Sequence, residues 1–249
     1  SAVFHPEFAD PVSPQRFLFI CYTHQLVEGV NHTNGSSYWR LCRIEFDANG
    51  EVIPASEQIL ISLFDPHAWH NGGAMFFGPD GFLYLSNDDD GPGGDPHGNG
   101  QVVDKSLFSV VMRIDVDQVG GGVSHPIRRQ PREIVSLPVG VASSYTQNYF
   151  IPNDNPWVED PAPVPPAEST FMEEIYACGL RSPHSMQWDP VTGQVWLGDV
   201  GQDTREELDL FVLDPANQIS PEEGLNFGWK LREGTLGSSL PESAPGVEV

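Results

Sequence analysis

The chain has 249 residues, with 35 acidic against 12 basic side chains and a formal net charge of −23 at pH 7. This length is enough for one large domain with a buried core, so no disulfide framework is needed for stability. The negative charge argues against nucleic acid or anionic membranes as partners, because phosphate would be repelled. No apolar run approaches the roughly 20 residues that span a bilayer, so no membrane span is predicted.

Short runs rich in aromatic and β-branched residues recur along the chain and predict strands. In chain order they are 16–23, 38–46, 58–63, 73–78, 82–86, 107–116, 132–137, 174–178, 184–189, 194–198 and 206–213. Glycine-containing turn signals separate several of them, and no stretch keeps an apolar period of 3.6 residues long enough for a helix. The sequence therefore predicts an all-β fold, either a sandwich, a jelly roll or a propeller.

An internal repeat favours the propeller. Residues 77–91 and 188–201 share one layout: an aromatic residue, a turn of Asp, Pro and Gly, a strand, and a polar loop that ends in Gly. Two blades would look like this, and the chain is long enough for about three to five of them. The proline-rich stretch 139–170 is predicted to be an irregular insertion over one face. We interpret 1–249 as a single, incomplete propeller domain.

The cysteines, the opening residues and the glycosylation sequons say little about the function of the chain. The three cysteines, Cys21, Cys42 and Cys178, have no metal-binding spacing, and we expect buried free thiols. The opening residues contain no basic region followed by an apolar run, so they do not predict a signal peptide. Two glycosylation sequons, at Asn31 and Asn34, are interpreted as turn chemistry.

Four polar clusters lie at the ends of predicted strands, at 69–73, 87–100, 179–183 and 198–202. In the first, His70 is a candidate general base, because an imidazole with a pKa of about 6.5 takes up a proton near neutral pH. Neighbouring glycines would let a ligand approach the backbone. The alternative is a structural, hydrogen-bonded histidine.

The second cluster is an acidic, glycine-rich loop at 87–100. Carboxylates and carbonyls of this kind are the oxygen ligands that calcium prefers, although the spacing is not that of an EF-hand. A solvated glycine-rich turn explains the composition equally well. The carboxylates in question are those of Asp88, Asp89, Asp90 and Asp95.

The remaining two clusters pair a cation with a tight turn. Arg181 follows a glycine and precedes a Ser-Pro turn, so its guanidinium either faces a developing oxyanion or forms an ion pair within the protein. Gly201 and Gln202 either offer main-chain carbonyls to a cation or simply form a turn.

Taken in this order, the clusters resemble the glucose/sorbosone dehydrogenase family. Matching segments run along almost the whole chain, and they include HNGGAMFFGPDGFLYLSNDDDG, GGDPHGNGQ, GLRSPHSMQWDPVTGQVWLGDVGQ and LNFGWKLREGT. The resemblance implies a six-bladed β-propeller, of which this chain would be a partial arc that lacks N-terminal strands and C-terminal blades. Such an arc would expose edge strands that tend to pair or aggregate.

The resemblance also implies a chemistry. Members of the family are soluble quinoproteins that oxidise an aldose at the anomeric carbon to the lactone, using pyrroloquinoline quinone (PQQ) and Ca²⁺ and passing the electrons to a separate acceptor. A periplasmic or secreted location follows from the same resemblance. It assigns proton abstraction to His70, contact with the quinone oxygen to Arg181, calcium ligation by main-chain carbonyls to Gly201 and Gln202, and the substrate side of the pocket to Asp89 and Asp90.

The chain departs from the family pattern at several positions. Asp90 stands where glutamine is usual, and Ser182 stands where asparagine commonly follows the arginine. Neither Lys230 nor Arg232 matches the lysine and arginines that clamp the cofactor. The chain equally resembles the hedgehog-interacting proteins, which use the same propeller to bind a protein partner, and a third alternative is a structural or carbohydrate-binding propeller.

Overall fold

The computed structural model describes residues 1–25, 36–67, 69–159, 168–213 and 224–237. Asn31 and Asn34, where the two sequons begin, lie outside these ranges. The described ranges contain strands and one short 3-10 helix, Pro54–Ser56, but no α-helix. The predicted all-β class is thus confirmed.

The strands are short and follow one another without long regular gaps. In chain order they are β1 (Ala2–Phe4), β2 (Phe17–Gln25), β3 (Ser37–Glu45), β4 (Gln58–Asp65), β5 (Met75–Phe77), β6 (Leu83–Asn87), β7 (Val110–Ile114), β8 (Ser124–Pro126), β9 (Tyr145–Thr146), β10 (Phe150–Pro152), β11 (Ile175–Cys178), β12 (Pro183–Trp188), β13 (Gln194–Asp199), β14 (Glu207–Val212), β15 (Leu225–Asn226), β16 (Arg232–Glu233) and β17 (Leu236–Gly237).

Three sheets dominate the architecture. The first has the order β1-β2-β3-β4-β9, the second β15-β11-β7-β6-β5 and the third β12-β13-β14, with two-stranded pairs β10-β8 and β16-β17 beside them. Strand β15 runs parallel to β11, whereas the other pairings among the described strands are antiparallel. A series of separate, mainly antiparallel sheets along the chain is the arrangement that a propeller requires.

Two apolar cores hold the sheets together. Every residue of β6 and β7 is buried, as expected for central strands with a sheet packed on each face. Trp39, Leu85 and Met112 belong to a core shared with the first sheet. Tyr84, Val111 and Leu197 belong to a second core, shared with the third sheet. The loop that leaves β6 therefore starts from a rigid position between sheets.

The predicted repeat corresponds to two equivalent hairpins in different sheets. Residues 77–91 contain the turn from β5 to β6, and 188–201 contain the turn from β12 to β13. Asp80 caps the first turn by accepting the amide of Phe82 at 3.1 Å, and Asp189 caps the second by accepting the amide of Val191 at 2.9 Å. A side-chain carboxylate that accepts an amide two residues on is a standard turn device, which explains why the pattern recurs.

One predicted strand is wrong. Residues 132–137 form no strand, because Pro131 and Pro138 flank them and cannot donate to a ladder. The segment is held instead by separate contacts: the amide of Arg132 donates to the carbonyl of Lys105 at 2.7 Å, and the carboxylate of Glu133 accepts from Ser144.

The described part of 139–170 contains β9 and β10. Strand β9 pairs with β4, and β10 pairs with β8. Tyr149 and Ile151 are buried in the first core. This stretch therefore contributes to the packing between sheets.

The three cysteines are free and buried, as expected. Cys21 is opposite Leu41, and Cys42 is opposite Ile20, so the two thiols on neighbouring strands lie on opposite faces of the sheet.

Candidate functional site

The carboxyl groups of the acidic loop that follows β6 are buried. Asp88, Asp89, Asp90 and Asp95 are each at most 1% exposed. The interpretation of this loop as a solvated turn is therefore wrong. An ionised carboxylate is costly to bury without partners, so each of these groups is either hydrogen-bonded or protonated. Their partners determine what the loop can do chemically.

His70 and Asp89 form a close pair. Nδ1 of His70 lies 2.7 Å from Oδ1 of Asp89, and the two side chains are 16% and 1% exposed. Asp89 is held by two further donors: the indole N–H of Trp229 lies 2.9 Å from Oδ2, and the amide of Gly91 lies 3.1 Å from Oδ1. When Asp89 is ionised, the shared proton resides on Nδ1, which leaves Nε2 as the acceptor.

The loop that carries His70 passes very close to the first sheet. Gly73 adopts a φ of +152°, and a Cβ at this position would lie 2.5 Å from Sγ of Cys21. The indole N–H of Trp39 donates to the carbonyl of Gly72 at 2.7 Å. Glycine at 73 is therefore required by both backbone conformation and space, and this close approach fixes the position of His70.

A second histidine–aspartate pair lies in the same loop. Oδ2 of Asp90 lies 2.6 Å from Nδ1 of His97, and Asp90 has a φ of +81°. Burial, together with the charges of Asp89, Asp65 and Asp95, raises the pKa of Asp90 to about 8. Asp90 thus faces His97 and takes no part in the His70 pair.

Neighbouring carboxyl groups share this environment. Burial raises the pKa of Asp65 to about 8 and that of Asp95 to about 6, and it also raises the pKa of Asp88. Hydrogen bonds oppose the effect at Asp95, which accepts the amides of Asn99 and Gly100 at 2.8 and 2.9 Å. Protonation of part of this cluster at neutral pH reduces the negative charge beside His70.

The third sheet reaches the same place through Asp199. Its carboxylate accepts the amides of Arg181 at 2.9 Å and of Ser182 at 2.5 Å. The hydroxyl of Ser182 donates to Oδ2 of Asp88 at 2.9 Å and lies 2.9 Å from Nε2 of His184. Ser182, which replaces an expected asparagine, therefore connects the third sheet to the loop after β6.

Arg181 lies next to the His70 pair. Its carbonyl accepts the amide of Asp89 at 2.9 Å, and its guanidinium carbon lies 5.5 Å from the ring centroid of Trp229. Nη1 donates to the carbonyls of Val200 and Gly201, both at 2.9 Å. Nε is buried and has no acceptor among the described residues. The intra-protein ion pair, one of the two alternatives for Arg181, is not among the ion pairs of the described residues. One buried donor is left free.

Gly201 and Gln202 lie in a tight turn. A Cβ on Gly201 would lie 1.5 Å from the carbonyl oxygen of Arg205, so only glycine fits. The side chain of Gln202 points to the loop after β6, where its Oε1 accepts the amide of Gly94 at 2.5 Å. Its Nε2 donates to the neighbouring Asp203 at 2.8 Å. Its main-chain carbonyl, the predicted calcium ligand, is not involved in these side-chain contacts.

The structure brings four groups together: His70, Asp89, Arg181 and the carbonyl of Gly201. Trp229 joins them, since it donates to Asp89 and stacks with Arg181. No role was predicted for Trp229, although it belongs to the segment LNFGWKLREGT that carried the resemblance. The adjacent Lys230 is buried, and its ammonium group already donates to two acceptors within the protein, the carbonyls of Gly94 and Asp95.

A side-chain metal site is not found in this part of the protein. The described residues contain no group of three or more His, Cys, Asp or Glu side chains arranged to hold a metal ion. Main-chain carbonyls, as predicted for the turn at 201–202, are therefore the donors to consider for a cation.

A cavity of about 390 Å³ lies elsewhere, with Asp80, Tyr84, Arg113, Asp154 and Tyr176 among its lining residues. None of the candidate site residues lines it. Arg113 is saturated by Asp80, Asp154 and Asn155. We assign the chemistry to the His70 region because titratable groups and a free buried donor converge there.

No helix in the described ranges is long and apolar enough to cross a membrane.

Comparison with known proteins gives consistent results. The family model for glucose / sorbosone dehydrogenase matches residues 127–239. The HIPL1 protein of Arabidopsis thaliana is 34% identical over 194 residues, which are 78% of this chain and 23% of that protein. The aldose sugar dehydrogenase YliI of Escherichia coli is 28% identical over 96 residues, which are 37% of this chain and 21% of that protein.

Solved structures show the same fold. The soluble aldose sugar dehydrogenase of Escherichia coli, in its apo form, superposes with a TM-score of 0.56 at 18% identity, covering 92% of this chain and 48% of that chain. This chain thus spans about half of the solved protein and under a quarter of the HIPL1 protein. The described strands match part of a β-propeller, and none of their sheets is closed.

Proposed function

Because residues 127–239 match the family model for glucose / sorbosone dehydrogenase, we propose that the chain belongs to this family and is part of a sugar dehydrogenase that oxidises an aldose at the anomeric carbon to the lactone. The proposed cofactors are PQQ and Ca²⁺, with a separate electron acceptor. The observation that carries the proposal is the pair of His70 and Asp89, 2.7 Å apart, next to Arg181. By resemblance, the proposed location is the periplasm or the extracellular space.

His70 is the proposed general base. With Nδ1–H donating to Asp89, Nε2 accepts the proton of the anomeric hydroxyl. Asp89 fixes this tautomer and stabilises the imidazolium that forms, as the carboxylate does in a hydrolase triad. Trp229 keeps the carboxylate in place through its 2.9 Å hydrogen bond. As the hydroxyl gives its proton to Nε2, the same carbon loses its hydrogen as a hydride, for which the bound quinone would be the acceptor. Two electrons and two hydrogens thus leave the sugar.

Arg181 is the proposed anchor for the cofactor. Its buried Nε has no acceptor among the described residues. A buried donor without a partner favours the binding of an anionic oxygen beside it. When bound, the quinone would supply a two-electron acceptor, and calcium would supply a Lewis acid. The stacked ring of Trp229 limits the orientations of the guanidinium.

The turn at 201–202 also fits a cation. Its carbonyl groups are hard oxygen donors of the type calcium prefers. In the present structure the guanidinium of Arg181 donates to the carbonyl of Gly201, so a positive group already occupies one of its lone pairs. A carbonyl oxygen has a second lone pair, and that of Gln202 is a further donor.

A second candidate function is a propeller that binds a protein partner. The same contact supports it, because Nη1 of Arg181 and the carbonyls of Val200 and Gly201 satisfy one another without any cofactor. The HIPL1 and HIPL2 proteins, at 34% and 33% identity, are the relatives that motivate this alternative. A carbohydrate-binding role without catalysis belongs to the same class.

The first experiment measures PQQ binding by calorimetry in the full-length protein, with and without Ca²⁺, together with dye reduction in the presence of aldoses. We expect calcium-dependent binding that Arg181→Gln weakens. His70→Gln is expected to lower kcat by about 10²- to 10⁴-fold and to leave binding intact, because it removes only the base. His125→Gln is the matched control, since His125 is also paired with a buried carboxylate, Glu173, in a different part of the fold. Failure of PQQ to bind would reject the enzyme and favour the binding propeller.

A further inference from the structure

Glu233 makes an unusual set of contacts with the turn at 201–205. A single oxygen, Oε1, accepts four successive main-chain amides, those of Gln202, Asp203, Thr204 and Arg205, at 2.8, 2.9, 2.8 and 3.1 Å. Glu233 itself is 7% exposed and ends strand β16. Successive amides that converge on one point form an anion-binding nest, and here the anion is a side chain of the protein.

The direction of the amides fixes the direction of the carbonyls. The peptide bonds of this turn are trans, and in a planar trans peptide the C=O and the following N–H point to opposite sides. Since the amides of residues 202–205 point to Glu233, the carbonyls of residues 201–204 point away from it. The carbonyl of Gly201 accordingly faces Arg181, at 2.9 Å from Nη1.

The turn is also too tight to adopt many other shapes. A Cβ on Gly201 would lie 2.9 Å from Oε1 of Glu233, in addition to its clash with the carbonyl of Arg205. The amide of Gly201 donates to a different carboxylate, that of the exposed Glu206, at 3.1 Å. Glu233 is therefore the central contact of the turn, whereas Glu206 holds one amide at its edge.

We propose that Glu233 is a positioning residue: by binding the four amides, it keeps the carbonyls of Gly201 and Gln202 turned away from itself as a preformed site for a divalent cation. Glu233 does not touch the cation and acts only through the backbone. This inference rests on the proposed function, because it takes the carbonyls of Gly201 and Gln202 as cation ligands.

The test compares two substitutions that remove the same charge from the same turn. Glu233→Gln removes the charge that holds four amides, and Glu206→Gln removes the charge that holds one. Ca²⁺ affinity is measured by calorimetry in the full-length protein without PQQ, and amide exchange of residues 202–205 is measured by mass spectrometry. We expect Glu233→Gln to weaken Ca²⁺ binding by about 10- to 100-fold, the usual effect of losing a group that orients metal ligands, and to speed amide exchange at least about tenfold. Glu206→Gln is expected to resemble the wild type in both measurements.

Three results would overturn the inference. Equal Ca²⁺ affinity in the two variants, with the wild type binding Ca²⁺, would reject the role of Glu233 and leave the proposed function intact. Rapid exchange of amides 202–205 in the wild type would contradict the anchor directly, even if Glu233→Gln failed to fold. A wild type that binds PQQ but no Ca²⁺ would reject both the cation site and its positioning residue.

Discussion

Trp229 donates its indole N–H to Oδ2 of Asp89 at 2.9 Å, across 140 residues of sequence. Oδ1 of the same carboxylate faces His70. The indole therefore influences the histidine through Asp89 while its ring stacks with Arg181. One aromatic residue near the end of the described chain thus connects the pair of His70 and Asp89 to the guanidinium of Arg181.

Trp229→Phe should separate these roles, because phenylalanine keeps a ring beside Arg181 and loses the N–H. We expect kcat to fall at least about tenfold, since a hydrogen bond to a charged group contributes about 1.5–3 kcal/mol. Trp196→Phe is the control, because Trp196 is 41% exposed and lies on β13. An unchanged kcat in Trp229→Phe would contradict the coupling.

The buried carboxyl of Asp65 should make the protein less stable as the pH rises. Burial raises its pKa to about 8, so between about pH 4 and pH 8 the folded chain holds a proton that the unfolded chain has released. The free energy of unfolding therefore decreases over this range as the pH increases. Asp65→Asn keeps the oxygen that accepts the amide of His67 and removes the titration.

The expected result for Asp65→Asn is a flatter dependence of Tm on pH, with the advantage over the wild type growing by at least about 3 °C between pH 4 and pH 8, the shift that roughly 1 kcal/mol produces in a domain of this size. Asp47→Asn is the opposite control, since hydrogen bonds from the amides of Glu51 and Asn49 lower the pKa of Asp47. Parallel Tm curves for Asp65→Asn and the wild type would show that Asp65 is not buried as described.

Gly201→Ala should destabilise the protein by about 1–3 kcal/mol, the usual cost of forcing extra atoms into a packed site. Its Cβ would overlap the carbonyl oxygen of Arg205 at 1.5 Å, so the turn would have to open. Gly122→Ala is the control, because a Cβ there meets nothing within 4 Å. Urea denaturation measures both variants. Equal free energies of unfolding would mean that the turn at 201–205 is not closed as the structure shows.

Most of the fold could be predicted from the sequence, because its strands and turns depend on local sequence patterns. Apolar runs identified β6 and β7, and turns built on Asp80 and Asp189 identified the repeated hairpins. At 132–137 the same signals failed, since flanking prolines outweighed the apolar composition.

Only part of the candidate site could be predicted from the sequence. His70 and Arg181 are unusual residues in polar clusters, and a pattern can select them. The contacts of Trp229 with Asp89 and of Glu233 with the turn at 201–205 join residues far apart in sequence. The burial of Asp88, Asp89 and Asp90 was also hidden, because it results from packing between sheets and not from the polar composition of the loop.

Strand β14 should make the isolated chain self-associate. It is the last strand of its sheet in the described part of the protein, and Leu208 and Leu210 on one face are 67% and 43% exposed. Trp196, opposite Leu210 on β13, extends this apolar face. An unpaired edge beside exposed apolar side chains favours pairing with another chain.

Light scattering should therefore show oligomers for the wild type and a monomer for Leu208→Lys/Leu210→Lys. The control Val119→Lys/Val191→Lys adds the same charge at two exposed valines elsewhere in the chain. It should not dissociate the oligomers. A wild-type chain that is monodisperse and monomeric would contradict this prediction and mean that the β14 edge is protected.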